Sequence, residues 1–135
     1  MVCYYCDGIT AVTNSRKKIR LKQIWRRRQC KKCLRTFTTV EQIDFEKALS
    51  VDKGMGHSEP FLRHKLCSSI IYSLGHRKNA VYEAGPLTDT IISKILSQNH
   101  SALIDSKQIS QITGLVLKRF DRTAAVHYSA YHSVN

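Results

Sequence analysis

Apolar residues in the second half of the chain recur at the spacing of α-helices. A four-residue repeat predicts an amphipathic helix from about Phe61 to Leu74. Its apolar stripe consists of Leu62, Leu66, Ile70 and Leu74. A second helix is predicted to begin near Pro86, with Thr88 or Asp89 as its cap. Its predicted buried face consists of Ile91, Ile92, Ile95 and Leu96.

A third helix is predicted to follow Asp105 and Ser106, and residues 122–132 can add a fourth. The predicted inward side chains of the third helix are Ile109, Ile112, Leu115 and Val116. Gly54 and Gly56 predict a turn just after a short β element near Ser50–Val51. Cys67, on the first helical pattern, is expected to be a small buried apolar residue.

The first 40 residues have a different pattern, with short β-prone stretches and few large apolar groups. These stretches are residues 12–13, 24–25 and 36–40. So few apolar side chains cannot bury a sufficient core without help, such as a bound metal ion. We expect Trp25 to fill what small core there is, and an exposed stacking platform is its alternative role.

Four of the five cysteines form two CxxC pairs, which are typical of a zinc site. Cys3 and Cys6 are separated from Cys30 and Cys33 by 23 residues. Two tight turns with paired thiolates can close a tetrahedron around one Zn²⁺ ion. A disulfide framework suits small extracellular domains, and a thioredoxin-like redox motif would explain only one pair. The pattern therefore predicts a zinc ribbon, a short antiparallel sheet held together by one zinc ion per chain.

Charge is concentrated in the same segment. The 135 residues contain 22 Lys and Arg against 10 Asp and Glu, a net charge of +12. Residues 1–40 hold eleven of the basic residues and one acid, so this segment alone carries +10. Such a basic block with interleaved aromatics favours contact with a nucleic acid, whereas a merely solvated basic face is the alternative.

Other function classes find little support in the sequence. No apolar run reaches the roughly 20 residues of a membrane span, and residues 1–6 lack a signal-peptide pattern. We therefore expect a cytoplasmic protein without a membrane partner. No phosphate-binding glycine loop or catalytic triad is present, and the six histidines are scattered, so we do not expect an enzyme.

The order of the two halves resembles the NrdR family, bacterial transcriptional repressors with a zinc ribbon followed by an ATP-cone domain. The similarity is carried by Cys3…Cys6, Asn14-Ser15-Arg16, residues 24–30 (Ile-Trp-Arg-Arg-Arg-Gln-Cys) and residues 37–41 (Phe-Thr-Thr-Val-Glu). Residues 51–66 are similar to the opening of the ATP cone, and residues 109–126 to the last helices of the family.

The resemblance implies an α+β fold, with a zinc-ribbon DNA-binding domain at residues 1–45 and a mainly helical ATP-cone domain at residues 46–135. It implies zinc on the four paired cysteines and operator DNA on Arg16, Arg26, Arg27, Arg28, Lys31, Lys32 and Arg35. ATP or dATP would contact Val51, Lys53, Glu59 and Lys65, with Arg77 or Lys78 near the phosphates. Nucleotide state would then control homo-oligomer assembly and binding to ribonucleotide reductase operons at the nucleoid.

Several positions depart from the family pattern. Tyr4 replaces a proline of the first CxxC turn, and Leu34 replaces a polar residue or glycine after the second. Other departures are Gly54-Met55, His76-Arg77-Lys78 and residues 124–130. Because these changes cluster in the second half, an alternative function is a zinc-ribbon adaptor that binds RNA or an acidic protein. Its cone would serve only for assembly.

Overall fold

The computed structural model describes residues 1–132 and divides the chain into two compact units. The first unit comprises Met1–Ile43, and the second begins at Asp44. Residues 133–135 lie outside the described part. The first unit is an antiparallel sheet and the second is mostly helical, which confirms the predicted α+β fold class.

Three strands in the order β1-β2-β3 make up the first unit. They are β1 (Thr10–Lys18), β2 (Gln23–Cys30) and β3 (Thr36–Glu41), and every neighbouring pair is antiparallel. Each predicted β-prone stretch lies within one of these strands. A 3₁₀ turn over Ile19–Leu21 connects β1 to β2, and Lys22 closes it with a left-handed φ of 51°.

The ladder between β1 and β2 contains one irregularity. Val12 pairs with Arg28, but Asn14 pairs with Arg27, so Thr13 is an extra residue on β1. This is the arrangement of a β-bulge, in which two residues of one strand oppose one residue of the other. From Asn14 onward, each side chain of β1 therefore lies on the face of the sheet opposite to the one it would occupy in a regular ladder.

A second three-stranded sheet opens the second unit. A short helix, α1 (Phe45–Ala48), precedes β4 (Ser50–Gly54), which pairs antiparallel with β5 (His57–Pro60) and parallel with β6 (Leu103–Asp105). Gly54 and Gly56 have φ values of 84° and 77°, as the predicted turn requires. The sequence predicted only the start of β4, because β5 and β6 are too short to have a distinct alternation pattern.

The first predicted helix is confirmed. It is α2 (Arg63–Ser73), and Leu66, Ile70 and Leu74 are buried at the predicted four-residue spacing. Cys67 is half-buried and packs against the same core.

The predicted start of the second helix is wrong. Helix α3 spans Ala80–Gln98 and contains Pro86 in its interior. Thr88 is fully buried and donates to the carbonyl oxygen of Ala84, so it does not cap the helix. Six residues upstream extend the helix because Ala80 and Ala84 pack into the core. The predicted buried residues Ile91, Ile92 and Ile95 are buried, whereas Leu96 is half-buried.

The last two helices are α4 (Ser106–Phe120) and α5 (Arg122–Tyr131). Asp105 caps α4 by accepting a hydrogen bond from the amide of Lys107 at 2.8 Å. Ile112 and Val116 are buried as predicted, but Leu115 is 61% exposed, so its inward prediction is wrong. Leu117 takes the buried position instead. Among residues 1–132, no helix combines the length and apolar character that membrane crossing requires.

Candidate zinc centre and binding surfaces

The four paired cysteines converge in the first unit. Their Sγ atoms all lie within 4.8 Å of one another. The Sγ atoms of Cys3 and Cys33 are 3.7 Å apart, and those of Cys6 and Cys30 are 3.5 Å apart. Four sulfurs at about 2.3 Å from a central zinc ion would be about 3.8 Å from one another in a tetrahedron. The cysteines are thus positioned to bind one zinc ion.

Both CxxC turns are built in the same way. The amide of Asp7 donates to the carbonyl oxygen of Cys3 at 2.8 Å, and the amide of Leu34 donates to that of Cys30 at 3.1 Å. Asp7 and Leu34 have left-handed φ values of 56° and 61°. This conformation lets the chain fold back after each pair of cysteines, so that both thiols of a pair point to the same side.

The surroundings of Cys30 favour its thiolate form. The amides of Cys33 and Lys32 point at its Sγ atom from 3.4 and 3.3 Å, and they lower the pKa of this thiol to about 6. Zinc binds the thiolate, so this arrangement prepares the ligand. All five cysteines of the chain are among the described residues, and none of them forms a disulfide.

Strand alternation divides the predicted DNA-contacting arginines of β2 between the two faces of the sheet. Cross-strand partners point to the same side, so the pairing of Arg16 with Trp25 and of Arg27 with Thr38 defines one face. We call it the Trp25 face, which also includes Lys18, Gln23 and Val40. Five of its members line one concavity: Asn14, Arg16, Trp25, Arg27 and Thr38. The opposite side is the Arg26 face, which includes Ser15, Lys17, Ile24, Arg26, Arg28, Phe37, Thr39 and Glu41.

Trp25 is 41% exposed, so the expectation that it fills a core is wrong. The reason is the sheet itself, which has no second layer within the first unit to cover that face. Lys18 lies over the indole ring, with Nζ 5.0 Å from the ring centroid. The indole N–H donates to the side-chain oxygen of Gln23 at 3.3 Å.

The remaining predicted DNA contacts lie at the second CxxC turn. Lys31, Lys32 and Arg35 are all exposed there. The guanidinium of Arg35 stands over the ring of Tyr5 at 4.6 Å. These three cations therefore belong to the end of the ribbon that holds the cysteines, whereas Arg16 and Arg27 lie along the sheet.

Four of the predicted nucleotide contacts come together at one cleft in the second unit. Val51, Lys53, Glu59 and Lys65 all line it. The carboxylate of Glu59 accepts from Lys65 Nζ at 2.7 Å and lies 3.1 Å from Lys53 Nζ, and these two lysines lower its pKa. The cleft has a volume of about 120 Å³. Typical ligand pockets measure roughly 300–1,000 Å³, so a nucleotide would have to displace side chains.

Arg77 and Lys78 do not join this cleft. Arg77 donates to both carboxylate oxygens of Glu83, at 2.6 and 2.8 Å, and to Asp121 at 3.0 Å. It also stands over the ring of Phe120 at 5.0 Å. Arg77 therefore links the start of α3 to the junction of α4 and α5, and Lys78 is exposed beside it.

The cleft contains residues that were not singled out from the sequence. His132 Nε2 lies 2.7 Å from Ser69 Oγ, and the His132 ring stacks on Tyr128 with centroids 4.2 Å apart. Burial lowers the pKa of His132, and the charge of Lys53 adds to this effect. Sequence patterns could not have revealed these residues, because 63 positions separate Ser69 from His132.

The N-terminal part of the chain matches a known family. Residues 1–41 match the family described as "Transcriptional repressor NrdR-like, N-terminal domain". This matched segment contains the complete four-cysteine centre and all three strands of the first sheet.

Full-length relatives are similar over nearly the whole chain. Proteins named "Transcriptional repressor NrdR" share 35% identity in Dictyoglomus turgidum and 31% in Acetivibrio thermocellus, with 98% of this chain and 87% of each relative covered. The protein of the same name in Herpetosiphon aurantiacus is 32% identical, and the match covers 99% of this chain and 86% of that protein.

Proposed function

Since the chain belongs to the NrdR family of transcriptional repressors, we propose that it is a zinc-dependent repressor of ribonucleotide reductase operons. In this proposal ATP or dATP controls its oligomeric state and thereby its binding to operator DNA. We assign DNA binding to residues 1–45 and nucleotide binding and assembly to residues 46–135. Such a protein acts in the cytoplasm, at the nucleoid, and it is a regulator and not an enzyme.

The observation that carries the proposal is the four-thiolate centre at one end of a strongly basic sheet. Residues 1–40 carry a net charge of +10, and the centre joins the CxxC turn before β1 to the CxxC turn between β2 and β3. A positive surface attracts DNA phosphates and releases their counterions on contact. Without zinc, so small a unit would lose its fold and with it the arrangement of these charges.

The cleft lined by Val51, Lys53, Glu59 and Lys65 supports a role for adenine nucleotides. Lys53 and Lys65 share the single carboxylate of Glu59, so the three groups together keep a net positive charge. Triphosphate oxygens can replace Glu59 as partners of the lysines, since both are anionic hydrogen-bond acceptors. The apolar neighbours Phe61, Leu66 and Ile109 offer contacts to an adenosine group once the cleft widens.

Control by nucleotide follows from linkage. A nucleotide shifts the assembly equilibrium only if it binds one oligomeric state more tightly than another. Operator binding then changes because assembly determines how many ribbons of the homo-oligomer can contact one DNA site together. ATP and dATP would therefore have different effects on operator binding if each nucleotide stabilises a different oligomer.

DNA-binding measurements on the zinc-loaded protein test the proposal. Operator-containing duplexes are selected from a randomised pool of double-stranded DNA, and affinity is measured by fluorescence anisotropy with and without EDTA. The same titrations are repeated with ATP and with dATP, while mass is measured in solution. We expect chelation to abolish binding and the two nucleotides to change both affinity and mass. Indifference to chelator and nucleotide contradicts the proposal.

A second candidate is the zinc-ribbon adaptor that binds RNA or an acidic protein, with a cone used only for assembly. The small cleft and the engagement of Arg77 by Glu83 and Asp121 favour it. Calorimetric titration separates the two candidates. Saturable heat with ATP or dATP supports the nucleotide-controlled repressor, whereas no heat with either nucleotide supports the adaptor.

A further inference from the structure

The bulge at Thr13 determines which arginines share a face of the ribbon sheet. A regular ladder continuing from the pair Val12–Arg28 would set Arg16 opposite Ile24, on the Arg26 face. The extra residue changes this register, and Arg16 instead pairs with Trp25. Bulges commonly re-aim side chains beside functional sites. Here the bulge brings the guanidinium group of Arg16 to the side on which the indole ring and Arg27, two residues apart on β2, already lie.

The two faces differ in how their charges are used. On the Arg26 face, Arg26 donates to the carboxylate of Glu41 at 3.1 Å and to Ser15 at 3.1 Å, and Arg28 donates to Thr39 at 3.1 Å. Both arginines are half-buried. Their guanidinium groups are therefore held in place by the sheet, and the charge of Arg26 is offset by Glu41.

On the Trp25 face, the cations keep their charge available. Within residues 1–132, neither Arg16 nor Arg27 forms an ion pair with a carboxylate. Arg28 on the other face also has no carboxylate partner among these residues, but it is half-buried, so the two faces differ in the exposure of their arginines. Arg27 donates to the hydroxyl of Thr36, at 2.9 Å. Arg16 and Arg27 are exposed, and so is Trp25 between them. This face consequently has uncompensated positive charge around the indole ring, over which Lys18 also lies.

We propose that the Trp25 face is the DNA-contacting surface of the ribbon and that the Arg26 face is not. Arg16 and Arg27 bind phosphate oxygens of duplex DNA, and the indole of Trp25 packs against the sugars between them. The proposal rests on the proposed function, that the protein binds duplex DNA. Of the three consecutive arginines Arg26, Arg27 and Arg28, only Arg27 then contacts DNA. Trp25, which was first expected to be buried, becomes a further contact residue.

Intrinsic fluorescence offers a direct test, because Trp25 is the single tryptophan of the chain. The full-length, zinc-loaded protein is titrated with the selected duplex while indole emission and the anisotropy of a labelled duplex are both followed. We expect saturable quenching of the indole with the same midpoint as the anisotropy change. Unchanged emission alongside normal binding would overturn the assignment of the face and leave the proposed function intact.

Two double variants with equal loss of charge provide the second test. Arg16→Gln with Arg27→Gln removes two cations from the Trp25 face, and Arg26→Gln with Arg28→Gln removes two from the Arg26 face. Zinc content and circular dichroism establish that both variants are folded. We expect the first pair to weaken duplex binding by about tenfold or more, and to reduce the slope of log affinity against log salt by about 2. The second pair should leave this slope close to the wild-type value.

The outcomes separate the inference from the function on which it depends. A larger effect from the Arg26 face would overturn the inference while DNA binding remains. Tighter binding to a single strand of the same sequence than to the duplex would also overturn it, because the aromatic ring would then be a stacking platform for bases. If the wild-type protein enriches no duplex from the random pool, the proposed function itself fails.

Discussion

The hydroxyl of Thr13 donates a hydrogen bond to the backbone carbonyl oxygen of Arg27, at 3.2 Å. Thr13 is the bulged residue of β1, so this bond holds the irregular position against the central strand. The bulge and the exposed basic face are therefore parts of the same local structure. Beyond this point Ser15 points to the Arg26 face and Arg16 to the Trp25 face.

This alternation allows a guanidinium group to be moved between faces without changing composition. The double substitution Ser15→Arg with Arg16→Ser conserves net charge and shifts the cation by one residue, from the Trp25 face to the Arg26 face. We expect duplex affinity to fall by about as much as in Arg16→Gln alone, since the phosphate contact is lost in both. Wild-type affinity in the exchanged variant would mean that only total charge matters.

Most of the ribbon's structure could be predicted from sequence patterns. The CxxC spacing and the β-prone stretches were sufficient to predict the zinc centre and all three strands. The side on which Arg16 lies could not be predicted, because it depends on the extra residue at Thr13, and a one-residue bulge leaves no signal in composition or periodicity. Trp25 was misassigned for a related reason, since an apolar side chain in a strand does not reveal whether a second layer covers it.

Gly8 lies where a side chain would meet the zinc centre. A Cβ atom at this position would lie 3.1 Å from Cys30 Sγ, 3.3 Å from Cys6 Sγ and 3.0 Å from Lys32 Cβ. Gly8→Ala should therefore displace two ligands and weaken zinc binding, which competition with a chromophoric chelator measures. The thermal transition of the second unit serves as the control and should not move. Unaltered zinc affinity would show that the CxxC turns adjust freely.

Leu34 carries a conformational cost at the second CxxC turn. Its φ is 61° and its side chain is 68% exposed, so the left-handed backbone is not repaid by burial. Left-handed geometry costs a residue with a Cβ about 1–2 kcal/mol. Glycine removes this cost, but its greater chain entropy in the unfolded state offsets part of the gain in stability. Leu34→Gly should stabilise the zinc-loaded ribbon by about 0.5–1 kcal/mol in chemical denaturation.

A glycine placed elsewhere on the ribbon is the matched control for Leu34. Ile19 is also highly exposed but lies in the 3₁₀ turn, where glycine relieves no left-handed strain. Ile19→Gly should leave stability unchanged or lower it. Equal effects of the two substitutions would indicate that the backbone at Leu34 is unstrained.

Asp121 joins the last two helices through several contacts, and it should make stability depend on pH. The amide of Ala124, the ring of His76 and the guanidinium of Arg77 all lie about 3.0 Å from its carboxylate, and together they hold its pKa well below the ordinary value. A lowered pKa means that this stabilisation is complete above the ordinary value of about 3.9 and is lost as the pH falls from there toward the lowered pKa of the folded state.

Thermal unfolding of Asp121→Asn tests this dependence. Asparagine still caps α5, so the variant isolates the charge. We expect its melting temperature to lie below the wild-type value at neutral pH, and the difference to shrink as the pH falls below about 5. Asp89→Asn, at the more exposed pair with Arg63, is the control and should show a smaller difference. A difference between Asp121→Asn and the wild type that does not vary with pH would contradict the role of the carboxylate.

In the second unit the helices were predictable from the sequence, but the cleft was not. The helical stripe of α2 was predictable because its side chains pack on one side of a long, regular helix. The cleft also requires residues of β4, β5, α4 and α5, which are distant in sequence. The family resemblance implied that Arg77 or Lys78 would lie near the phosphates, but Arg77, just before the start of α3, binds Glu83 and Asp121 instead.

That geometry separates two lysines that the sequence grouped together as nucleotide contacts. Lys65 lines the cleft and pairs with Glu59, whereas Lys78 is exposed outside it. Lys65→Ala should weaken ATP binding by about tenfold, the effect of losing one charge-assisted hydrogen bond, and Lys78→Ala should leave the affinity unchanged. Calorimetric titration of both variants, which lose the same charge, provides the comparison. Equal loss in the two would mean that ATP is attracted only by net charge, and a loss confined to Lys78→Ala would move the nucleotide site away from the cleft.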